Sequence, residues 1–261
     1  MTSTPWTVYG TPLASRFLLG TAGYPSPQAL CDAIAASGTQ VVTVGLKRTL
    51  AAAGDNGFVE IIRRSGARLL PNTAGCRSAR EAIVLAHMAR ELYDTPWLKL
   101  EVVGDEHTLQ PDPWELLDAA TQLTRDGFAV FPYCTDDLVS CRRLLDAGCQ
   151  VLMPWAAPIG SGQGLLNPWA LRTLRERLPG VPLIVDAGIG APSHATQAME
   201  LGFDGVLLNS AVAQARDPVA MAHAFRLAIA AGRLGHEAGV MAPQGMAVAS
   251  TPVTGRPFLI E

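Results

Sequence analysis

Lysine is almost missing from this chain. Of twenty basic residues in 261, only Lys47 and Lys99 are lysine and the rest are arginine. Cysteine is sparse and unpatterned: Cys31, Cys76, Cys134, Cys141 and Cys149 show no CxxC spacing. An odd count without that spacing argues against a disulfide framework or a zinc site and fits a reducing, cytoplasmic setting. The five histidines (His87, His107, His194, His223, His236) show no ligand spacing, so no metal is expected. No apolar run reaches the ~18 residues that a membrane span needs. With a net charge of -3 and no basic stripe, neither nucleic acid nor membrane is an expected partner. Met1–Trp6 lacks the basic and apolar regions of a signal peptide. No linker or low-complexity tract divides the chain. A single domain over 1–261 is expected, with an N-terminal lead-in over 1–16; the C-terminal tail over 240–261 is expected to be mobile.

At 49% hydrophobic and 16% charged, the chain can bury a sizeable core. From Phe17 onward a short apolar run precedes a helical pattern, and the pair repeats eight times. The strand runs are 17–20, 40–45, 68–71, 98–103, 128–131, 150–153, 181–185 and 204–208. The helical patterns are 26–37, near 56–65, 78–92, 112–125, 135–147, 167–178, 192–201 and 217–232. Ser78 and Glu81 form a capping box, and Pro113, Pro168 and Pro218 sit just inside helix starts. Strands alternating with helices predict right-handed βαβ units and a parallel sheet. Eight units in one domain of this length predict a (β/α)8 TIM barrel. A doubly wound open sheet is the alternative, but it usually has fewer strands.

The active site of such a barrel lies in the loops after the strands, and these loops are where the unusual residues fall. The fourth strand run reads Trp97-Leu-Lys-Leu-Glu-Val-Val103. Side chains alternate along a strand, so Lys99 and Glu101 share one face and Leu98, Leu100 and Val102 the other. A lysine in an apolar strand is a candidate nucleophilic amine with Glu101 as its proton-transfer partner. The plainer reading is a buried ion pair filling a barrel layer. Asp186 ends the seventh strand, where a carboxylate can do acid/base work or merely cap the next helix. Gly160, Gly162 and Gly164 follow the sixth strand, Gly188 and Gly190 the seventh, and Asn209-Ser210 the eighth. Three loops with free backbone N–H groups on one face can hold a phosphate, although glycine turns alone are common.

Pro71-Asn-Thr-Ala-Gly75, Lys99-Leu-Glu-Val-Val-Gly104, Leu109-Gln-Pro-Asp-Pro113, Pro158-Ile-Gly-Ser-Gly-Gln-Gly164, Val185-Asp-Ala-Gly-Ile-Gly190 and Gly205-Val-Leu-Leu-Asn209 resemble the bacterial thiazole synthases of thiamin biosynthesis. The resemblance implies a (β/α)8 barrel without cofactor that works on 1-deoxy-D-xylulose 5-phosphate. Lys99 matches the lysine that forms an imine with the sugar ketone. Glu101 and Asp186 match the acid/base residues. Gly160, Ala187, Gly188, Asn209 and Ser210 match the sugar-phosphate contacts, with Ser210 where relatives often carry threonine. Dehydroglycine (2-iminoacetate) and a ubiquitin-like sulfur carrier protein in thiocarboxylate form are the other implied partners. A homo-oligomer, commonly a tetramer, is implied as well. Two other readings stay open: another Schiff-base phosphosugar barrel, such as a pyridoxal-phosphate synthase or an aldolase, and a silent barrel that only docks a sulfur carrier.

Overall fold

The computed structural model describes residues 6–47 and 56–248. Arg48, next to Lys47 in the loop after the second strand run, lies outside them, as does the tail from 249. A two-stranded hairpin opens the chain, β1 (Trp6–Val8) and β2 (Thr11–Leu13). The strands of the barrel are β3 (Phe17–Gly20), β4 (Val41–Gly45), β5 (Arg68–Asn72), β6 (Trp97–Leu100), β7 (Ala129–Cys134), β8 (Met153–Pro154), β9 (Ile184–Asp186) and β10 (Gly205–Leu208). The helices are α1 (Pro27–Ser37), α2 (Asn56–Arg64), α3 (Ala79–Tyr93), α4 (Pro113–Arg125), α5 (Leu138–Asp146), α6 (Pro168–Arg177), α7 (Pro192–Glu200), α8 (Ser210–Ala213) and α9 (Pro218–Ala238).

The eight barrel strands pair in parallel in the order β8-β7-β6-β5-β4-β3-β10-β9. The ring closes between β8 and β9 through the bridges Leu152↔Leu183 and Trp155↔Asp186. The fold is therefore the expected (β/α)8 barrel. Alternation divides the side chains into two sets. Leu18, Val41, Leu70, Trp97, Phe131, Met153, Ile184 and Leu207 pack together inside the barrel, while Phe17, Val42, Leu98, Leu100, Val130, Val185 and Val206 pack outward among the helices. Caps set the helix starts: the Ser26 side chain accepts from Ala29 N, Ser78 from Glu81 N, and Asp112 from Trp114 N and Glu115 N.

Three features lie beyond the sequence reading. The lead-in is structured from Trp6 on. Tyr9 and Gly10 both have positive φ, 45° and 72°, which a two-residue hairpin turn requires. The hairpin brings Trp6, Val8 and Leu13 onto the interior set, closing the barrel at the N-terminal ends of its strands. Truncating this plug is costly: Trp6→Ala is expected to destabilise the fold by about 3–5 kcal/mol, read as a lower denaturation midpoint with an unchanged slope. The last helix runs to Ala238 rather than stopping at Gly232. A Cβ on Gly232 would sit 2.5 Å from Thr196 O, so this glycine lets α9 approach α7 and does not end the helix. Finally, α8 went unseen because four residues carry no periodicity.

Candidate active site

The fourth barrel strand stops at Leu100, one residue before Glu101. Beyond that point Thr73, fully buried after β5, takes over. Its hydroxyl donates to Glu101 O and accepts from Glu101 N, both at 2.8 Å. The extended path thus continues, and Glu101 stays on the face of Lys99. The Lys99 Nζ lies 3.1 Å from Glu101 Oε1 and 2.6 Å from Asp186 Oδ2. All three are buried, at 5%, 4% and 2% exposure. Asp186 arrives from the end of β9, on the other side of the ring. The contact with Asp186 is a charge contact, since Oδ2 receives no hydrogen bond of good geometry.

Burial works against a charge on Lys99, but Asp186 and then Glu101 outweigh it and hold the ammonium pKa above the ordinary lysine value. Burial also raises the Asp186 carboxyl, with Lys99 opposing and Glu101 adding to the rise. The resting site therefore holds a cation between two carboxylates, one of them predisposed to take a proton.

A cavity of about 540 Å³ opens above this cluster at the C-terminal ends of the strands. Its walls include Lys99, Glu101, Gly160, Gly162, Asp186, Ala187, Gly188, Gly190, Asn209 and Ser210, whereas Gly164 is not among them. The loops after β8 and β9 meet backbone to backbone. Gly164 N donates to Gly188 O at 2.8 Å. A Cβ on Gly188 would lie 2.4 Å from Ala157 Cβ, and one on Gly190 2.4 Å from Gly162 O. Ala187 holds φ 66° without being glycine, a strained conformation of the kind that clusters at functional sites. Gly188→Ala is expected to cost about 1–3 kcal/mol through overpacking, measured as a fall in Tm.

The Asn209 side chain is engaged within the protein. Its Nδ2 donates to Ala22 O at 3.0 Å, and its side chain packs on Gly20. Its amide thus holds the loop after β3. Sequence reading also passed over Thr21, Thr43 and Asn72, which line the cavity. Thr21 follows β3 and Asn72 ends β5, a positional signal that was available, whereas Thr43 lies within β4. His107, in the loop after β6, is exposed beside Glu106. His194 is the one engaged there, accepting from Gly190 N at 3.2 Å. Among the described residues, no cluster of three or more His, Cys, Asp or Glu is placed to hold a metal. No helix among them is long and apolar enough to cross a membrane.

Comparison with known families agrees with this geometry. A model described as thiazole biosynthesis protein ThiG matches residues 7–252. The chain belongs to the ThiG family. A thiazole synthase from Coxiella burnetii is 58% identical over 256 residues, covering 98% of this chain and 99% of the relative. One from Ralstonia pickettii is 61% identical, covering 97% and 93%. Among solved structures, the Amycolatopsis orientalis BexX/CysO complex is similar at TM-score 0.82 and 32% identity, covering 93% of this chain and 99% of its counterpart. The lysine strand and both glycine loops lie within the ThiG match.

Proposed function

We propose that this barrel is a thiazole synthase that joins 1-deoxy-D-xylulose 5-phosphate, dehydroglycine and thiocarboxylate sulfur into a thiazole phosphate carboxylate through an imine on Lys99. One observation carries the reading: a buried lysine, within 3.1 Å of two carboxylates, at the floor of a cavity rimmed by glycine loops.

The amine becomes nucleophilic only after losing a proton. Asp186 is its nearest acceptor, and a buried carboxyl of raised pKa is suited to hold it. The free amine adds to the sugar ketone, and the proton returns to the departing hydroxyl as water leaves. Moving the carbonyl one carbon along the sugar requires a proton to be removed from one carbon and delivered elsewhere. Glu101 and Asp186 flank the nitrogen and are the available groups. Sulfur addition, condensation with dehydroglycine and loss of water then close the ring. Gly160, Ala187, Gly188, Asn209 and Ser210, on the loops that rim the cavity, are assigned to the sugar phosphate.

The BexX/CysO complex supports docking of a sulfur carrier on this barrel. Val84, Met88 and Leu92 form an exposed apolar stripe along α3, which supports a homo-oligomer. The five free thiols support a reducing, cytoplasmic setting. The test is borohydride reduction after incubation with the sugar phosphate. An adduct on Lys99 is expected, and an adduct on Lys47 instead would sink the assignment. Removing the phosphate from the sugar should weaken binding. Equal affinities would remove the glycine-loop argument.

A further inference from the structure

Tyr133 lies on β7, two residues beyond the Phe131 that pairs with Lys99. It faces the same way as Phe131 and stands level with Glu101. Its side chain is wholly buried, at 0% exposure. Lys99 Nζ lies 5.5 Å from the centre of its ring, a distance at which the ring face attracts a cation. Its hydroxyl is buried and has no hydrogen-bond partner. Packing alone does not call for that hydroxyl. Phe131, two residues back, fills the interior with a bare ring, set 4.9 Å from Trp97. The plugging hairpin shows how a tyrosine is satisfied here: Tyr9 donates to Val130 O at 2.6 Å and accepts from Gln150 N at 3.1 Å. Tyr24 and Tyr93 also leave their hydroxyls unpartnered. Among the described residues, only Tyr133 of these three has a cation against its ring. Burial raises the phenol pKa, and Asp186, Glu101 and Cys134 add to the rise. The phenol therefore keeps its proton and remains a donor.

We propose that Tyr133 is a positioning residue for Lys99, its ring face holding the cationic nitrogen and its hydroxyl serving the carboxylate that loses a partner when the ammonium becomes an iminium. The resting ammonium carries three protons and faces two carboxylates. The iminium nitrogen keeps one and faces only one of them closely, so Glu101 or Asp186 loses its cationic partner in a buried site. A phenol on the neighbouring strand, buried and unengaged at rest, is the group placed to meet that need. No bond to Tyr133 forms or breaks. This assignment rests on the imine reading above. Tyr133 does not line the cavity, so it acts through the lysine and the carboxylates and not on substrate.

Tyr133→Phe and Tyr133→Leu separate the two parts. The ionisable groups facing Lys99 are Glu101 on its own strand, Asp186 from β9 and Tyr133 from β7, with Cys134 adjoining the tyrosine. Reductive methylation of Lys99 by formaldehyde and cyanoborohydride, followed against pH by mass spectrometry, reports its protonation without any sugar. Tyr133→Phe is expected to keep its Tm, its methylation profile and its KM. Its kcat should fall about tenfold, the scale of a lost hydrogen bond to a charged group. Tyr133→Leu is expected to shift the methylation midpoint to lower pH, because the ammonium loses its ring face. Wild-type kcat in Tyr133→Phe overturns the hydroxyl's part, and an unmoved midpoint in Tyr133→Leu overturns the ring's. If the unsubstituted protein yields no borohydride-trapped adduct, the imine reading fails and this assignment with it. If it does yield one and both variants behave as wild type, only this assignment fails.

Discussion

Lys99→Ala is expected to abolish the trapped sugar adduct and to reduce thiazole formation by at least about 10⁴-fold, the scale seen when a covalent nucleophile is lost. The same substitution should also disturb the fold. Glu101 and Asp186 are each under 5% exposed, and Lys99 is the cation they share. Removing one member of a buried ionic cluster costs about 3–5 kcal/mol because the remaining charge is left uncompensated. The protein's answer is to protonate a carboxylate. In the variant the folded-state carboxyl pKa rises further above its unfolded value, since burial persists and the opposing lysine is gone. A group with a raised folded pKa contributes stability when protonated and loses that contribution as pH climbs through the folded value. The Tm of Lys99→Ala should therefore recover as pH is lowered from about 7 to about 5, relative to the unsubstituted protein. A Tm deficit independent of pH would show that the two carboxylates are not held apart from solvent.

Asp186→Asn is expected to separate binding from turnover. The imine should still form on Lys99, because the amine, the cavity and the glycine loops are untouched. Turnover should fall by about 10²–10⁴-fold, the usual contribution of a positioned acid or base. A second effect follows from the charge balance. Asp186 is the larger of the two carboxylate influences that keep Lys99 protonated, against a desolvation that favours the free amine. With asparagine in its place, burial gains weight and the lysine pKa falls. The pH at which trapping is half-maximal should move lower than in the unsubstituted protein. Normal turnover in Asp186→Asn would remove its acid/base role. A midpoint that moves upward would contradict the electrostatic account of the site.

Much of this was legible without coordinates, for identifiable reasons. Alternation along Trp97–Val103 separates Lys99 and Glu101 from the three apolar side chains, and Leu98, Leu100 and Val102 do pack outward. A near-absence of lysine made Lys99 conspicuous. The repeat of strand and helix set the architecture, because each element's period and caps are local properties. The gaps in that reading also have causes. Thr73, which carries the path of β6 on to Glu101, lies 28 positions away from it in sequence. Tyr133 reads as an ordinary core aromatic until its ring is seen against Nζ. Asn209 faces a backbone carbonyl at residue 22, a contact 187 positions away in sequence.

Sequence alone, then, determined the barrel, the face at which the charged residues and glycine loops gather and the choice of Lys99 as candidate nucleophile, since periodicity and residue type act over a few neighbouring positions. The tertiary structure alone decided the charge state of Lys99. That depends on Asp186 arriving at 2.6 Å from a strand on another side of the ring, and on how completely the barrel excludes water. Coulombic attraction and desolvation oppose each other there, and only the distances and the burial say which one prevails.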